Sequence, residues 1–495
     1  MHFQLNHTKM NNISETTRSG SPSVEDGDSE SSREMRKMEV RVRRKTDFAV
    51  LPLLCSVYFL AQMRRKGRSD LANAKVAGMD QELGLTAQMY SNVSSIFLVG
   101  YIVFQLPGTL LLRKIGPPTQ FAGAMVVWGT VTACTVVADG YATLMVIRAL
   151  IGAAEALIQG AILYLSFWYR YNELATRGAI LYSTVALAGS FNGLLAYAIQ
   201  LTLDGANGWS AWKWIFLIEG VVPVAWAAVV VTLLPSTPER IRWGFSAAEK
   251  EAVVARSRAV HNTGDSTIRP RLILRLLADP KFWMVVLVDS GAHFCTSSLS
   301  NFTPAILQGL GYAGVDAQLM AVVVYAAAFV GILASCWISD RLGRRGVVIC
   351  VDAGLAAVGY ALLLGLTNDT ARLVATCLVA CCAYPLVVLS LAWTASNNVG
   401  YTFRASAAAL INIVAQTVAI GGNQAFNDPP YYRKGLGVSL AMICMSGVVA
   451  GLLVLYLRAA NERKVRDQHS EKGERLRACT VDEVGNAHPD FRFSY

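Results

Sequence analysis

A chain of 495 residues that is 54% hydrophobic and only 16% charged does not describe a soluble protein of that length, so the membrane class comes first. The formal net charge of +10 sits mostly beside apolar runs, as in Arg41, Arg43, Arg44 and Lys45 before the first and Arg458, Arg463, Lys464 and Arg466 after the last. Positive flanks of this kind belong to membrane spans, and without a continuous basic face they argue against nucleic acid as a partner.

In chain order, residues 1–47 read as a disordered cytosolic tail. Met1 to Met38 is polar, rich in Ser and Glu, and lacks the apolar core of a secretory signal. Twelve apolar spans follow, starting near Phe48, Ala87, Phe121, Tyr141, Gly178, Trp212, Phe282, Gln318, Val347, Ala371, Ala405 and Val438. Runs such as Phe216 to Leu234, Leu319 to Ile338 and Val438 to Leu457 can cross a hydrocarbon core about 30 Å thick. Six spans fall in residues 48–234 and six in 282–457. The polar stretch 235–281 between them is longer than a loop joining neighbouring helices and reads as a cytosolic linker. Residues 458–495 read as a second cytosolic tail. The expected fold is therefore an all-α membrane protein with twelve transmembrane helices in two six-helix halves.

With both termini cytosolic, Arg113 and Lys114, Arg170 and Arg177, Arg341 with Arg344 and Arg345, and Arg404 all fall on the cytosolic side, while the loop after span three carries Asp139 alone. One stretch breaks this pattern. Met63 is followed by Arg64, Arg65, Lys66 and Arg68, which leaves about 16 apolar residues from Phe48, a marginal span. Either the first helix continues with these charges inside the protein, or the segment is an insertion.

The ten cysteines are irregularly spaced and mostly within apolar runs, with no Cys-x-x-Cys pair or histidine cluster, so neither a disulfide framework nor a metal site is expected. No cofactor is expected either. Gly309-Leu-Gly311-Tyr-Ala-Gly314 matches a dinucleotide fingerprint but follows a membrane span rather than a strand, and no phosphate-binding Gly-Lys-Ser/Thr loop is present.

Polar residues inside spans are costly enough to count as functional candidates. Span four carries Arg148 and Glu155, seven residues apart on one helical face, with Gln159 one turn further on. Span seven carries Asp289 and His293 at i,i+4 spacing, followed by Asn301; a histidine beside a carboxylate titrates near neutrality, but as readily forms a structural pair. Between spans eight and nine runs Ser339-Asp340-Arg341-Leu342-Gly343-Arg344-Arg345-Gly346. This closely resembles the signature loop of the major facilitator superfamily, and implies a conformational lock built from Asp340, Arg341, Gly343, Arg344 and Arg345. The first-half segment Gly100 to Gly116 occupies the place that Gly331 to Gly346 holds in the second half. Such repeats build many secondary transporters, with the solute site near mid-membrane between the halves.

An ordered series of matches is similar to one branch of that superfamily, the fungal anion:cation symporters that include allantoate and nicotinate permeases. It comprises Asn73-Ala-Lys-Val-Ala-Gly78, Tyr101-Ile-Val-Phe-Gln-Leu-Pro107, Trp128-Gly129, Arg148 through Glu155, Trp168-Tyr169 with Glu173 and Arg177, and Gly193-Leu-Leu-Ala-Tyr197. It continues with Gly208-Trp209, Trp212-Lys-Trp214 with Glu219-Gly220, Leu234-Pro235 with Pro238-Glu239, and Asn397-Asn398 before Arg404. The resemblance implies a monomeric plasma-membrane carrier, embedded in the lipid bilayer, that takes up a small organic anion of vitamin, carboxylate or ureide type with protons by alternating access. Coupling is sensible, since bringing in a monoanion against an inside-negative potential costs about 2.3 kcal/mol per 100 mV and one proton cancels the charge. Glu155 and Arg148 are the proton-coupling candidates; Arg148, Gln159, Asn192, His293 and Asn301 are the candidates for the substrate cavity. The chain departs from the branch at Gln62-Met-Arg-Arg-Lys-Gly-Arg68-Ser69-Asp70, where relatives carry an Asp-Arg-Ser-Asn-like stretch, so the preceding acid is missing. The same scaffold also serves exporters of secondary metabolites. More remote readings are a transport-inactive nutrient sensor and a membrane-embedded enzyme using Asp289 and His293; no enzyme is expected.

Overall fold

The computed structural model describes residues 25–65, 74, 78–241, 244–259, 268–309, 315–426, 432–467, 470–478 and 484–495. Residues 46–495 form one compact unit; residues 1–45 form another, of which the described part is the beginning of the first helix. Every regular element among the described residues is helical.

The first half comprises α1 (Glu25–Arg65), the short α2 (Met79–Glu82), α3 (Ala87–Ile115), α4 (Pro117–Ala133), α5 (Tyr141–Ala156), α6 (Ala161–Trp168), α7 (Tyr171–Leu203) and α8 (Ala211–Leu233). Two helices, α9 (Ala247–Ala259) and α10 (Pro270–Leu277), lie in the central polar stretch. The second half comprises α11 (Pro280–Gly309), α12 (Val315–Leu342), α13 (Arg345–Gly365), α14 (Asp369–Ser396), α15 (Tyr401–Gln424) and α16 (Arg433–Asp467), and is followed by α17 (Glu471–Arg477). Ten stretches, α5 and α6 counting as one, are long and apolar enough to cross a membrane. Helices α7 and α11, 33 and 30 residues long, are not among these ten stretches of described residues; they carry the buried acids Glu173 and Asp289.

Helix α1 starts at Glu25, inside the stretch whose polarity reads as a tail, and runs on through Arg65. The first helix thus continues beyond Met63 into the basic stretch; residues 66–73 and the side chains of Arg64 and Arg65 lie outside the described residues, as do most of the Gly309 to Gly314 motif and the side chains of Asn192 and Asn301.

Glycine sets how closely the halves' own helices approach. A Cβ on Gly152 of α5 would lie 2.0 Å from the Phe97 carbonyl oxygen of α3, and one on Gly100 would lie 2.3 Å from the Ala149 oxygen. Backbone contact of this kind needs small residues on both helices. Where α5 gives way to α6, Gln120 of α4 donates from Nε2 to the Leu157 and Gly108 carbonyls at 2.8 and 2.9 Å, satisfying backbone acceptors at the break. Across the halves, α7 packs on α12 and α14, and α3 on α15.

Candidate functional site

The interface between the halves is tied at the end of the bundle that carries Arg113, Arg170, Arg341, Arg344 and Arg345, called here the basic end. The last turn of α12 carries Asp340, which reaches across to the second turn of α7. Its Oδ1 accepts from the Ala175 N–H at 3.2 Å, and its Oδ2 accepts from the Thr176 N–H and hydroxyl, both at 2.7 Å. Ala175 and Thr176 are the fifth and sixth residues of α7, so the carboxylate binds backbone donors just past the start of the helix. Arg345, 3% exposed, lies 3.5 Å from Asp340 and donates to the Ala392 carbonyl, the Ser396 hydroxyl and the Tyr171 carbonyl. Gly343 turns the chain between them in the left-handed region, at φ +65°. Arg341 lies over the Trp337 ring at 5.3 Å, and both Arg341 and Arg344 are exposed. Of the five residues expected in the lock, the structure therefore brings Asp340 and Arg345 together across the halves, with Gly343 as the turn.

A second cross-half tie centres on Tyr401 at the start of α15. Its hydroxyl accepts the Arg113 N–H at 3.0 Å and faces the carbonyls of Thr109 and Leu110 at 3.1 and 2.9 Å. These carbonyls and that N–H belong to the last two turns of α3, so one buried phenol ties the ends of two helices from opposite halves.

Directly behind these ties lies a cavity of about 510 Å³, counting the part open to solvent, between the halves. From the first half it is lined by Tyr58, Gln105, Thr109, Gln159 and Tyr182, and from the second by Leu391, Ala395, Arg404 and Asn412, among others. Of this space only about 20 Å³ is free to the centre of a water molecule, so the cleft is narrow in this state. Arg404 is the single charged side chain among the described lining residues. It is 2% exposed, donating from Nε to the Asn398 carbonyl at 3.2 Å and facing the Tyr171 hydroxyl at 3.4 Å. Gln105 is 1% exposed, and its Oε1 has no hydrogen-bond partner among the described residues. On α15, Gln416 donates to Asn412. Chemically, the site offers one guanidinium, several amides and two phenols, a set suited to a small anion with further polar atoms.

Of the residues expected to face solute, Gln159 lines this cavity. Arg148 and Glu155 lie within the first half, 4% and 2% exposed, with the Arg148 guanidinium 5.7 Å from the Phe216 ring of α8. His293 sits against Asp289, its Nδ1 3.2 Å from both the Asp289 carboxylate and the Asp289 carbonyl, and Ser390 of α14 donates to the same carboxylate. Neither pair is among the lining residues. Sequence reasoning placed Arg404 in a basic loop and passed over Tyr58, Gln105, Tyr182 and Asn412. The available signals were Gln105 interrupting an apolar run, and Asn412 with Gln416 four residues apart on one face of α15.

At the opposite end of the bundle, Glu82 of α2 clasps the start of α8. It accepts from the Ser210 hydroxyl at 2.6 Å and the Trp212 indole at 2.7 Å, and pairs with Lys213 at 2.6 Å. The Lys213 ammonium above all, then Ser210, hold its carboxyl down at about 2.

The helical bundle itself matches a known architecture. The structure is similar to that of the proton:xylose symporter XylE, with a TM-score of 0.64 at 12% identity, covering 83% of this chain and 96% of that one. An uncharacterized transporter of Schizosaccharomyces pombe is 30% identical over 91% of this chain and 89% of its own length. The high-affinity nicotinic acid transporter of Saccharomyces cerevisiae is 28% identical over 92% and 85% respectively. The Major Facilitator Superfamily model matches residues 54–422, and the chain, a multi-pass membrane protein, belongs to that superfamily.

Proposed function

We propose that this protein is a proton-coupled carrier that takes up a small organic monoanion by alternating access, with the solute seated in the cavity between the halves. The observation that carries this reading is Arg404, a buried guanidinium that is the only charge among the described lining residues. A guanidinium beside amides at the cavity wall offers charge-assisted donors that favour an anionic solute over a neutral one. The relative from Saccharomyces cerevisiae named for nicotinic acid supports a planar monocarboxylate, and the resemblance to the fungal anion:cation symporters supports the same class. Proton coupling falls to Glu155, oriented by Arg148, four residues before Gln159 at the cavity wall. The basic end is taken as cytosolic, with both termini on that side, residues 235–281 as the linker, and the plasma membrane as the site of action. The Asp340–Arg345 lock then holds the cytosolic side shut while the cavity faces outward.

Uptake of radiolabelled nicotinate, other carboxylates and ureides into vesicles with an imposed pH gradient tests this. Accumulation that follows the inward proton gradient and disappears in Arg404→Gln supports the reading. Equal uptake with and without Arg404, or net efflux under the same gradient, overturns it.

A further inference from the structure

Residues 484–495 are seated on the basic end of the second half by polar side chains that grip their backbone. Asn461 of α16 holds Phe493 at both its N–H and its carbonyl, at 2.8 and 2.9 Å. Asn397, just past α14, holds Ser494 in the same way at 2.7 and 2.8 Å, and the Trp393 indole adds a bond to the Ser494 carbonyl at 2.8 Å. The Lys464 ammonium gathers the carbonyls of Asn486, His488 and Phe491 at 2.6, 3.2 and 3.0 Å. Phe491 is 2% exposed, and Lys281 at the start of α11 lies 4.8 Å from the Phe493 ring. One short segment thus joins the ends of α11, α14 and α16.

Its contact with the joint between α14 and α15 connects it to the cavity. Asn486 accepts the Val399 N–H and donates to the Asn398 side chain, both at 2.9 Å. The carbonyl of that same Asn398 accepts Nε of Arg404, whose other edge faces Tyr171 of the first half. The path from segment to cavity floor to opposite half is therefore Asn486, Asn398, Arg404, Tyr171. Gly485 fits only because it lacks a side chain: a Cβ there would stand 2.3 Å from the Phe403 ring at the start of α15, and its φ is +62°.

Most of these grips are hydrogen bonds between polar groups that water can replace, so each contributes little net free energy and the docked state is reversible. All of the segment's named partners belong to the second half, so it does not clamp the halves to each other directly. It holds the 397–400 joint, and through that joint the residue that touches both halves. We infer that residues 484–495 are a built-in regulator of the carrier: docked, they fix Asn398 and with it Arg404, keeping the basic end closed; released, they let that end part. This rests on the carrier reading above and concerns the regulation of the same cavity.

Distances between spin labels on Asn172→Cys of the first half and Leu342→Cys of the second, both exposed at the basic end, read the gate without any solute. The exposed Cys134 and Cys444 are replaced by Ser. Three proteins are compared: the full chain, a chain ending at residue 483, and the full chain with Asn486→Ala. Asn486→Ala raises the ratio of open to closed distances at least about fivefold, the worth of one of the two side-chain hydrogen bonds it deletes. The shortened chain raises it further, and a synthetic peptide of residues 484–495 added in excess reverses that rise. Should the shortened chain not fold, Asn486→Ala alone decides. An unchanged distribution in Asn486→Ala overturns the inference, as does a shift in the shortened chain that the peptide leaves untouched. Parallel uptake measurements on the full chain separate the two readings. A gate that moves in a protein that carries no solute refutes the carrier and keeps the regulator, whereas a working carrier with an unmoved gate refutes the regulator alone.

Discussion

Thr176 gives Asp340 two hydrogen bonds of 2.7 Å, one from its backbone N–H and one from its hydroxyl, so a carboxylate of the second half binds a helix of the first. The charge is the important part of this contact, because the same carboxylate also lies 3.5 Å from the buried Arg345 guanidinium. Asp340→Asn keeps the shape and removes the charge. It is expected to weaken the closed basic end by about 1.5–3 kcal/mol, the worth of hydrogen bonds to a charged group. Thr176→Val, which deletes only the hydroxyl bond, is expected to cost about 1 kcal/mol. Spin-label distances across the basic end check both, and equal effects of the two substitutions would refute a role for the charge.

Arg404→Gln is expected to reduce solute uptake at least about tenfold, since removing a buried charged partner costs about 2–5 kcal/mol. Arg404→Lys should retain part of the activity with a raised KM, because an ammonium restores the charge but not the planar fork that spans Asn398 and Tyr171. Initial-rate uptake against solute concentration distinguishes the two.

Glu155→Gln separates proton coupling from solute binding. If Glu155 carries the proton, this change abolishes accumulation driven by a pH gradient while leaving exchange of labelled for unlabelled solute intact, because exchange needs no net proton movement. Loss of both processes would instead assign Glu155 to the folding of α5, where it is 2% exposed.

The Glu82 clasp predicts a pH dependence of stability. Its carboxyl is held at about 2 against an ordinary value of 4.5, so its contribution is fully present above 4.5 and is lost as the pH falls through 2. Glu82→Gln should therefore lower the thermal midpoint at pH 7, and the gap from the parent should narrow as the pH drops from 4.5. A gap that is constant from pH 7 to pH 3 would show that the charge at Glu82 contributes nothing; the pair is partly exposed, so the effect is modest.

Gly152→Ala places a methyl group on the Phe97 carbonyl and is expected to destabilise the first half by about 1–3 kcal/mol through forced separation of α3 and α5. Gly354→Ala, with nothing within 4 Å of the added carbon, should leave the thermal midpoint unchanged or slightly raised. Thermal unfolding of the purified protein in detergent checks the contrast.

How much of this was readable in the amino acids depends on the range of the interaction. Apolar runs are local, and their length against the thickness of a bilayer is enough to give a helical membrane protein. The lock loop was legible for the same reason: Asp340, Gly343 and Arg345 lie within six residues, and a turn flanked by opposite charges is a local pattern. Its acceptor geometry was not, since Thr176 stands 164 residues away.

The cavity shows the limit more clearly. Arg148 and Glu155 drew attention because a charge inside an apolar run is conspicuous along the chain, yet which way a helix face points depends on its neighbours, and theirs is packed against the first half's own α8 through Phe216. Arg404 was inconspicuous at the edge of a span but is buried at the cavity, where Asn398 and Tyr171 converge on it from opposite halves. By itself, then, the sequence determined that this chain crosses a membrane as two helical halves with a charged turn at one end, because hydropathy and turn chemistry act over a few residues. Only the tertiary structure decided which charge lines the cavity and what Asp340 and residues 484–495 hold on to, because burial of a polar group is settled by partners brought together from distant parts of the chain.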